Sequence, residues 1–241
     1  MHLDDQSIET IKAEAANLGF SLFGVSHPSE LEKTDRYKDW LEQGFHGNMS
    51  YLSRPDSISK RFSPSLLVKD CRSIISLGIS YPLINYQESP HSKSNGWISS
   101  YAIYENYHTL LKILAEKLLK IIQKLSSGSH QLRVFTDSAP ILEREFGVLG
   151  NLGWIGKNAN LISSIVGSHF LLAEILTDII LDTNSNRNPD RCGKCQNCVD
   201  ACPTQCIQPD RTIDARKCIS YLTIENKGEI PLELRKKIIS L

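Results

Sequence analysis

Apolar residues recur with helical period at Ile8, Ile11, Ala15 and Leu18, with Asp4 or Asp5 placed to cap and Gly19 to stop, so an amphipathic helix is predicted near the start. "FSLFGVS" then reads as a strand, and a second helix is expected over 29–43, ending at Gly44. "GNMSYLSRPDSISKRFSP" reads as a loop-rich connection carrying Arg54 and Arg61, and the continuous apolar run of "SIISLGISY" predicts a buried strand. The polar, turn-rich segment 82–96 exceeds an ordinary connector and reads as a lid or site loop. "YENYHTLLKILAEKLLKIIQKL" is the longest helix, with Leu110, Leu111, Leu114, Leu118, Ile121 and Ile122 as its apolar stripe and lysines on a solvated face. After it come a strand in "QLRVFTD", a helix beginning near Pro140 in "APILEREFGVLG", and two strands joined near Gly167 in "NLISSIVGSHFLLAEILTDIIL".

This alternation predicts a mixed α/β domain over 1–181. The asparagine-rich stretch "DTNSNRNPD" then reads as a linker, and the change in composition beyond it predicts a second, small domain over 182–241. A chain of 241 residues can bury a core without cysteine staples. Its 27 basic and 27 acidic residues cancel, which argues against a simple electrostatic nucleic-acid binder. The N-terminus carries early acids and no signal-like apolar run, and no stretch approaches the roughly 18 apolar residues of a membrane span, so a soluble, cytoplasmic protein with no membrane partner is expected. Seven cysteines, an odd number gathered toward one end, fit metal or redox chemistry better than a disulfide framework.

Five of those cysteines fall in "CGKCQNCVDACPTQC". Cys192, Cys195, Cys198 and Cys202, followed by Pro203, form C-x2-C-x2-C-x3-C-P, in which a curled loop aims three thiolates at one iron–sulfur cube while the fourth ligates a second. Structural zinc usually takes separated cysteine or Cys/His pairs, and no second C-x2-C or spaced histidine pair follows. Cys218 is placed to join Cys202; Cys206, a helical turn from Cys202, reads as a packing residue and Cys71 as structural. Two four-iron clusters bound only by cysteine need about eight thiolates, and this inventory supplies Cys192, Cys195, Cys198, Cys202 and Cys218.

Other features read two ways. Asp137, at a strand-to-helix turn, either faces a site or, with Ser138, caps the helix. The glycines of "GNLGWIGKNAN" permit close approach of a large ligand or simply make a tight turn with Trp154 in the core, and the segment lacks G-x-G-x-x-G. His108 at a helix start is either functional or a satisfied polar group.

"TDSAPILEREFGVLGNLGWIGKNANLIS", "GSHFLLAEILTD", the cysteine run with its Pro-Thr, and "DARKCISYLTIENKGEIP" together closely resemble the epoxyqueuosine reductase family, over nearly the whole chain. The resemblance implies a nitroreductase-like α/β (α+β) domain carrying base-off cob(II)alamin, and a ferredoxin-like domain with two 4Fe-4S clusters. It implies reduction of an epoxide to an alkene on the wobble base of tRNA carrying epoxyqueuosine, with electrons from an unidentified donor, in a monomeric enzyme. An enzyme that works on one splayed-out base needs no large net charge.

Residue by residue, the resemblance makes Asp137, in the D-[ST]-A-P motif, the proton donor. For that role burial or a like charge must raise its pKa well above roughly 3.9. Cobalamin contacts are implied for Arg61, Ser100, Asp137, Lys157, Asn158, Asn160, Ser168 and Ser220, and substrate or tRNA contacts for Arg54, Tyr107, His108, Arg216 and Tyr221. Ser100 and Asn106 replace an arginine and an aspartate common in the family. Family members continue past "IPLELRKKI" into a C-x2-C-x3-C-P motif, whereas this sequence ends at Leu241; a truncated form with incomplete clusters and impaired catalysis is therefore expected. Two alternatives share parts of this pattern. One is a cobalamin-dependent reductive dehalogenase, typically exported and so disfavoured without a leader; the other is a catalytically impaired, metal-binding tRNA-interaction protein.

Overall fold

The computed structural model describes residues 1–30, 35–84, 98–103, 106–183 and 188–239. Four apolar strands, β2 (Leu22–Ser26), β3 (Ser73–Ser80), β4 (Leu132–Phe135) and β7 (Phe170–Thr177), pair antiparallel in the order β2-β3-β7-β4. Because strand residues alternate between faces, each strand serves two different layers. One face is covered by α1 (Asp5–Asn17) and α5 (Tyr107–Leu125): Ile11, Ala15, Leu111, Leu118 and Ile122 pack on Ile75, Leu77, Ala173 and Ile175, all fully buried. The other receives α6 (Glu143–Leu149) and the segment around Val68, with Phe146 and Ile141 against Ile74, Phe135 and Leu176.

A hairpin of β5 (Trp154–Ile155) and β6 (Leu161–Ile162) covers the remainder of that second face through Leu152, Leu161 and Phe170. The N-terminal β1 (His2–Leu3) pairs parallel with β8 (Ile180–Leu181), which ties the chain start to the end of the sheet strand. No helix among the described residues is long and apolar enough to cross a membrane.

The C-terminal cysteine segment carries α7 (Asn197–Asp200), a π-helical turn at Tyr221–Glu225 and α8 (Leu232–Ile239). Its small core of Ala215, Tyr221, Leu222 and Leu234 is completed by Trp40 and Met49 from the N-terminal part. Backbone ties reinforce the docking: Ala215 N–H donates to the Phe45 carbonyl at 2.8 Å, and Trp40 Nε1–H to the Ile213 carbonyl at 2.7 Å.

Several expected elements fall differently. The helix expected over 29–43 is described only as a short 3-10 turn at Pro28–Glu30 and α2 (Asp35–Glu42). The stretch read as loop contains α3 (Ser50–Ser53) and α4 (Pro55–Phe62). Pro55 at the first helical position, Asp56 in the first turn and Lys60 and Arg61 in the last are complete helix-end chemistry, too short for a visible periodicity. On α5 the buried set is Leu111, Ala115, Leu118 and Ile122, while Leu110 at the stripe's margin is exposed. The helix placed near Pro140 begins at Glu143, because Asp137 turns the chain with a left-handed φ of 54° first. The two strands expected on either side of Gly167 are present as β6 and β7, but they serve different sheets: β6 pairs with β5, and β7 joins the main sheet. Most of the 82–96 segment lies outside the described residues.

Candidate active site between the sheet and the cysteine segment

Asp137 leaves β4 where the backbone must turn away from the sheet, and its left-handed conformation aims the carboxylate outward. Its Oδ2 lies 2.9 Å from His108 Nε2 and accepts from the Tyr107 hydroxyl at 3.2 Å. Both partners sit in the first turn of α5, where the Asn106 side chain caps the helix by accepting from the His108 N–H at 3.1 Å. The same Asn106 oxygen is 3.2 Å from His108 Nδ1. An amide oxygen only accepts, so Nδ1 is the ring nitrogen that donates to Asn106 and Nε2 is the one that meets Asp137. Burial, then the Asp137 charge, raise the Tyr107 phenol, which therefore stays a donor.

The Asp137 side chain is 61 % exposed and faces a cleft of about 370 Å³ between the catalytic layers and the cysteine segment. Four arginines, Arg36, Arg61, Arg144 and Arg211, line that cleft with Tyr37, Trp40 and Tyr51. Arg61 is nearly buried: its guanidinium donates to the Ser57 carbonyl and hydroxyl and stacks 5.5 Å from the Tyr37 ring. Arg144 donates to the Ala159 carbonyl, and Arg211 joins the two parts by donating to the Ile155 carbonyl at 2.8 Å and pairing with Asp190.

Burial, the route expected to load Asp137 with a proton, operates one step behind it. The Asp137 N–H donates to Glu143 Oε1 at 2.8 Å, and desolvation first, with the Asp137 charge adding, pushes Glu143 up to about 7. Glu174 on β7 is fully buried, and burial first, then Glu143, raises it strongly. Neither Glu174 oxygen has a hydrogen-bond partner among the described residues, and with the Glu143 carboxyl close by, ionising both groups together is disfavoured. Neither glutamate stands out in the sequence: Glu143 reads as a solvated helix-start acid and Glu174 as one polar letter in an apolar strand.

Other expected contacts divide. Ser100 Oγ accepts from the Ile84 N–H at 3.1 Å. Asn158 Oδ1 accepts from the Asn160 N–H at 3.2 Å inside the β5–β6 turn, and Ser168 is half-buried beyond β6. Gly153 is required by the hairpin itself, since a Cβ there would meet the Ile162 carbonyl oxygen at 1.9 Å. Trp154 is half-buried rather than a core residue, and its Nε1 is buried without an acceptor among the described residues. Lys157 turns to the cysteine loop, donating to the Gly193 and Cys195 carbonyls at 3.0 and 2.8 Å. Arg54 is exposed, and Ser220 is exposed beside Cys218. Arg216 pairs with the buried Asp214 at 2.8 Å and covers the Phe45 ring. Tyr221 faces inward: it is buried and its hydroxyl accepts from the Asn48 N–H at 2.8 Å, so it supports the fold instead of meeting RNA.

All seven cysteines are free thiols. Cys71 is buried near the sheet, and burial pushes it up to about 11, as suits a structural residue. Cys218 is brought down to about 5, chiefly by the Cys206 thiol donating to it. Cys202 is also lowered: burial opposes this, and donors from Cys206 and Thr204 prevail. Cys206 itself is buried with its Sγ 3.5 Å from Cys202 Sγ, so it does more than fill space. Thiolate is the form that ligates iron, so the donor chemistry at Cys202 and Cys218 suits an iron–sulfur cluster.

Two family descriptions match the chain: "Epoxyqueuosine reductase QueG, DUF1730" over residues 61–138, and "4Fe-4S double cluster binding domain" over residues 191–240. The chain is 38 % identical to the epoxyqueuosine reductase of Cyclobacterium marinum, with 97 % of this chain and 74 % of that protein aligned. It superposes on the epoxyqueuosine reductase of Streptococcus thermophilus with TM-score 0.84 at 28 % identity, covering 96 % of this chain and 61 % of that one. It also superposes on an epoxyqueuosine reductase solved with an epoxyqueuosine-modified tyrosine tRNA stem loop, with TM-score 0.82 at 25 % identity, covering 97 % and 61 %.

Proposed function

The chain belongs to the epoxyqueuosine reductase family, a family of oxidoreductases, and from that premise we propose that it reduces the epoxide of epoxyqueuosine to the alkene of queuosine at the tRNA wobble position. The observation that carries the reading is the Asp137 carboxyl, held by Tyr107 and His108 at the wall of an arginine-lined cleft. Converting an epoxide to an alkene consumes two electrons and two protons and releases water. Cobalamin, where bound, would supply a low-valent cobalt reductant, and 4Fe-4S clusters held by the cysteine segment would supply electrons singly.

The protein residues handle the protons. Asp137, in its acid form, donates a proton to the departing oxygen, and the resulting carboxylate is steadied by the Tyr107 hydroxyl. His108, 44 % exposed, then returns a proton from solvent through Nε2, while Asn106 keeps its Nδ1–H oriented. Arg61, Ser100, Asn158, Asn160, Ser168 and Ser220 are the assigned polar contacts for the corrin. Arg54 and Arg216, with the cleft arginines, suit phosphates of the RNA or of the nucleotide tail. Cys192, Cys195 and Cys198 serve one cluster, and Cys202 and Cys218 the other. Lys157 fixes the first cluster's loop. A tRNA substrate places the reaction in the cytoplasm.

The test is anaerobic reconstitution with iron, sulfide and cobalamin, then turnover on epoxyqueuosine tRNA. Formation of queuosine, lost in Asp137→Asn, is expected. Stoichiometric zinc with no cobalamin bound would defeat the reading.

A further inference from the structure

Across the sheet face under α6, one directly opposed row runs Gly24, Ser76, Glu174, Phe135. Glu174 is fully buried in that row; among the described residues neither of its oxygens nor the hydroxyl of Ser76 directly opposite has a hydrogen-bond partner, and the Glu143 carboxyl is the charged group that acts on it most strongly. A carboxyl in such a place is costly unless it does something. Gly24 explains how α6 comes close enough: a Cβ there would stand 1.9 Å from the Gly150 carbonyl oxygen. Glu143, in the first turn of α6, is thereby pressed between Glu174 below and the Asp137 N–H above. Asp137 itself needs support, because a non-glycine residue at φ 54° is uncommon and strained.

We propose that Glu143, backed by Glu174, is a positioning residue of the active site: its Oε1 clamps the Asp137 N–H and so holds the left-handed turn that aims the Asp137 carboxyl at Tyr107, His108 and the cleft. Glu174 shares one proton with Glu143, which keeps the pair from carrying two charges and locks the Glu143 carboxyl in orientation. Glu143 lies at the wall of the cleft and acts through its hold on Asp137. The kinetic consequence rests on the reductase reading; the clamp does not.

The experiment is amide hydrogen exchange at Asp137 in the full chain, followed by NMR, with turnover on epoxyqueuosine tRNA in parallel. Glu143→Asp keeps the charge but shortens the arm by one methylene, and Glu143→Ala removes the acceptor; each should raise the Asp137 exchange rate at least tenfold while core amides of β3 and β7 stay protected. Glu143→Gln keeps an acceptor oxygen and should stay within about threefold of the parent rate. In turnover, the first two should lower kcat by about ten- to a hundredfold with KM within twofold, and Glu143→Gln should recover most of it. Unchanged exchange in Glu143→Asp, or equal loss in Glu143→Asp and Glu143→Gln, would overturn the clamp. A parent protein that turns over no substrate would defeat the reductase reading and leave the exchange result to decide the clamp by itself.

Discussion

The two faces of the central sheet are built from the same strands and do opposite jobs. Toward α1 and α5, Ile75, Leu77, Ala173 and Ile175 meet Ile11, Leu111 and Leu118, and the two buried hydroxyls at the end of that face, Ser73 and Thr177, are satisfied by the Leu181 and Ile179 N–H groups. Toward α6, the row Gly24, Ser76, Glu174, Phe135 puts a carboxyl, a hydroxyl and a bare backbone where apolar side chains would stabilise more. The first face stores stability; the second gives up part of it to hold the Asp137 turn. That division follows from period two: a one-residue step along β7 separates Ala173 and Ile175 from Glu174.

The comparison breaks first on activity. Asp137→Asn should reduce single-turnover reduction of epoxyqueuosine tRNA by about 10²–10⁴-fold, the usual worth of a positioned general acid, with little change in unfolding free energy. On the α5 face the effects should reverse. Leu118→Ala, at a fully buried position, should cost about 2–5 kcal/mol in urea unfolding while turnover per folded molecule survives. Gly24→Ala should cost about 1–3 kcal/mol, because the added methyl must push α6 off the sheet, and its activity should fall with it.

The smallest effect is a pH slope. Burial raises Glu143 to about 7 and also raises Glu174, whereas in the unfolded chain glutamates lose their protons near ~4.3. The native state therefore binds more protons in between, so this part of the stability is complete below about 4.5 and is lost as pH rises to about 7 and beyond. Glu174→Gln should flatten that slope in denaturant titrations at pH 5 and 8. An unchanged slope would show that the two faces differ in composition but not in proton binding.

Much of the molecule was legible along the chain. The β3 and β7 runs, the long α5 helix and the cysteine spacing announced themselves because each rests on local period or fixed offsets. Arg61 was read only through the family resemblance, as an arginine approaching cofactor or RNA; that it is nearly buried and stacked on Tyr37 had no signal in its loop-like surroundings. Lys157 and Tyr221 were read toward ligands and instead bind the Cys195 carbonyl and the Asn48 N–H, because a long polar side chain satisfies the nearest unpaired backbone group, which sequence distance conceals. The helix start near Asp137 was misplaced for a related reason: a left-handed aspartate is not a sequence signal when the residue is not glycine.

By itself, then, the sequence determined the longest strands and helices, which thiols stand at cluster spacing, and that an aspartate follows β4. Only the tertiary structure decided that Asp137 meets Tyr107 and His108 from another element, that Glu143 and Glu174 close behind it, and that Cys206 reaches Cys202 and Cys218. The physical reason is that period and spacing are properties of neighbours along the chain. Proton affinity and hydrogen-bond partnership depend on desolvation and on which groups packing brings within about 3 Å.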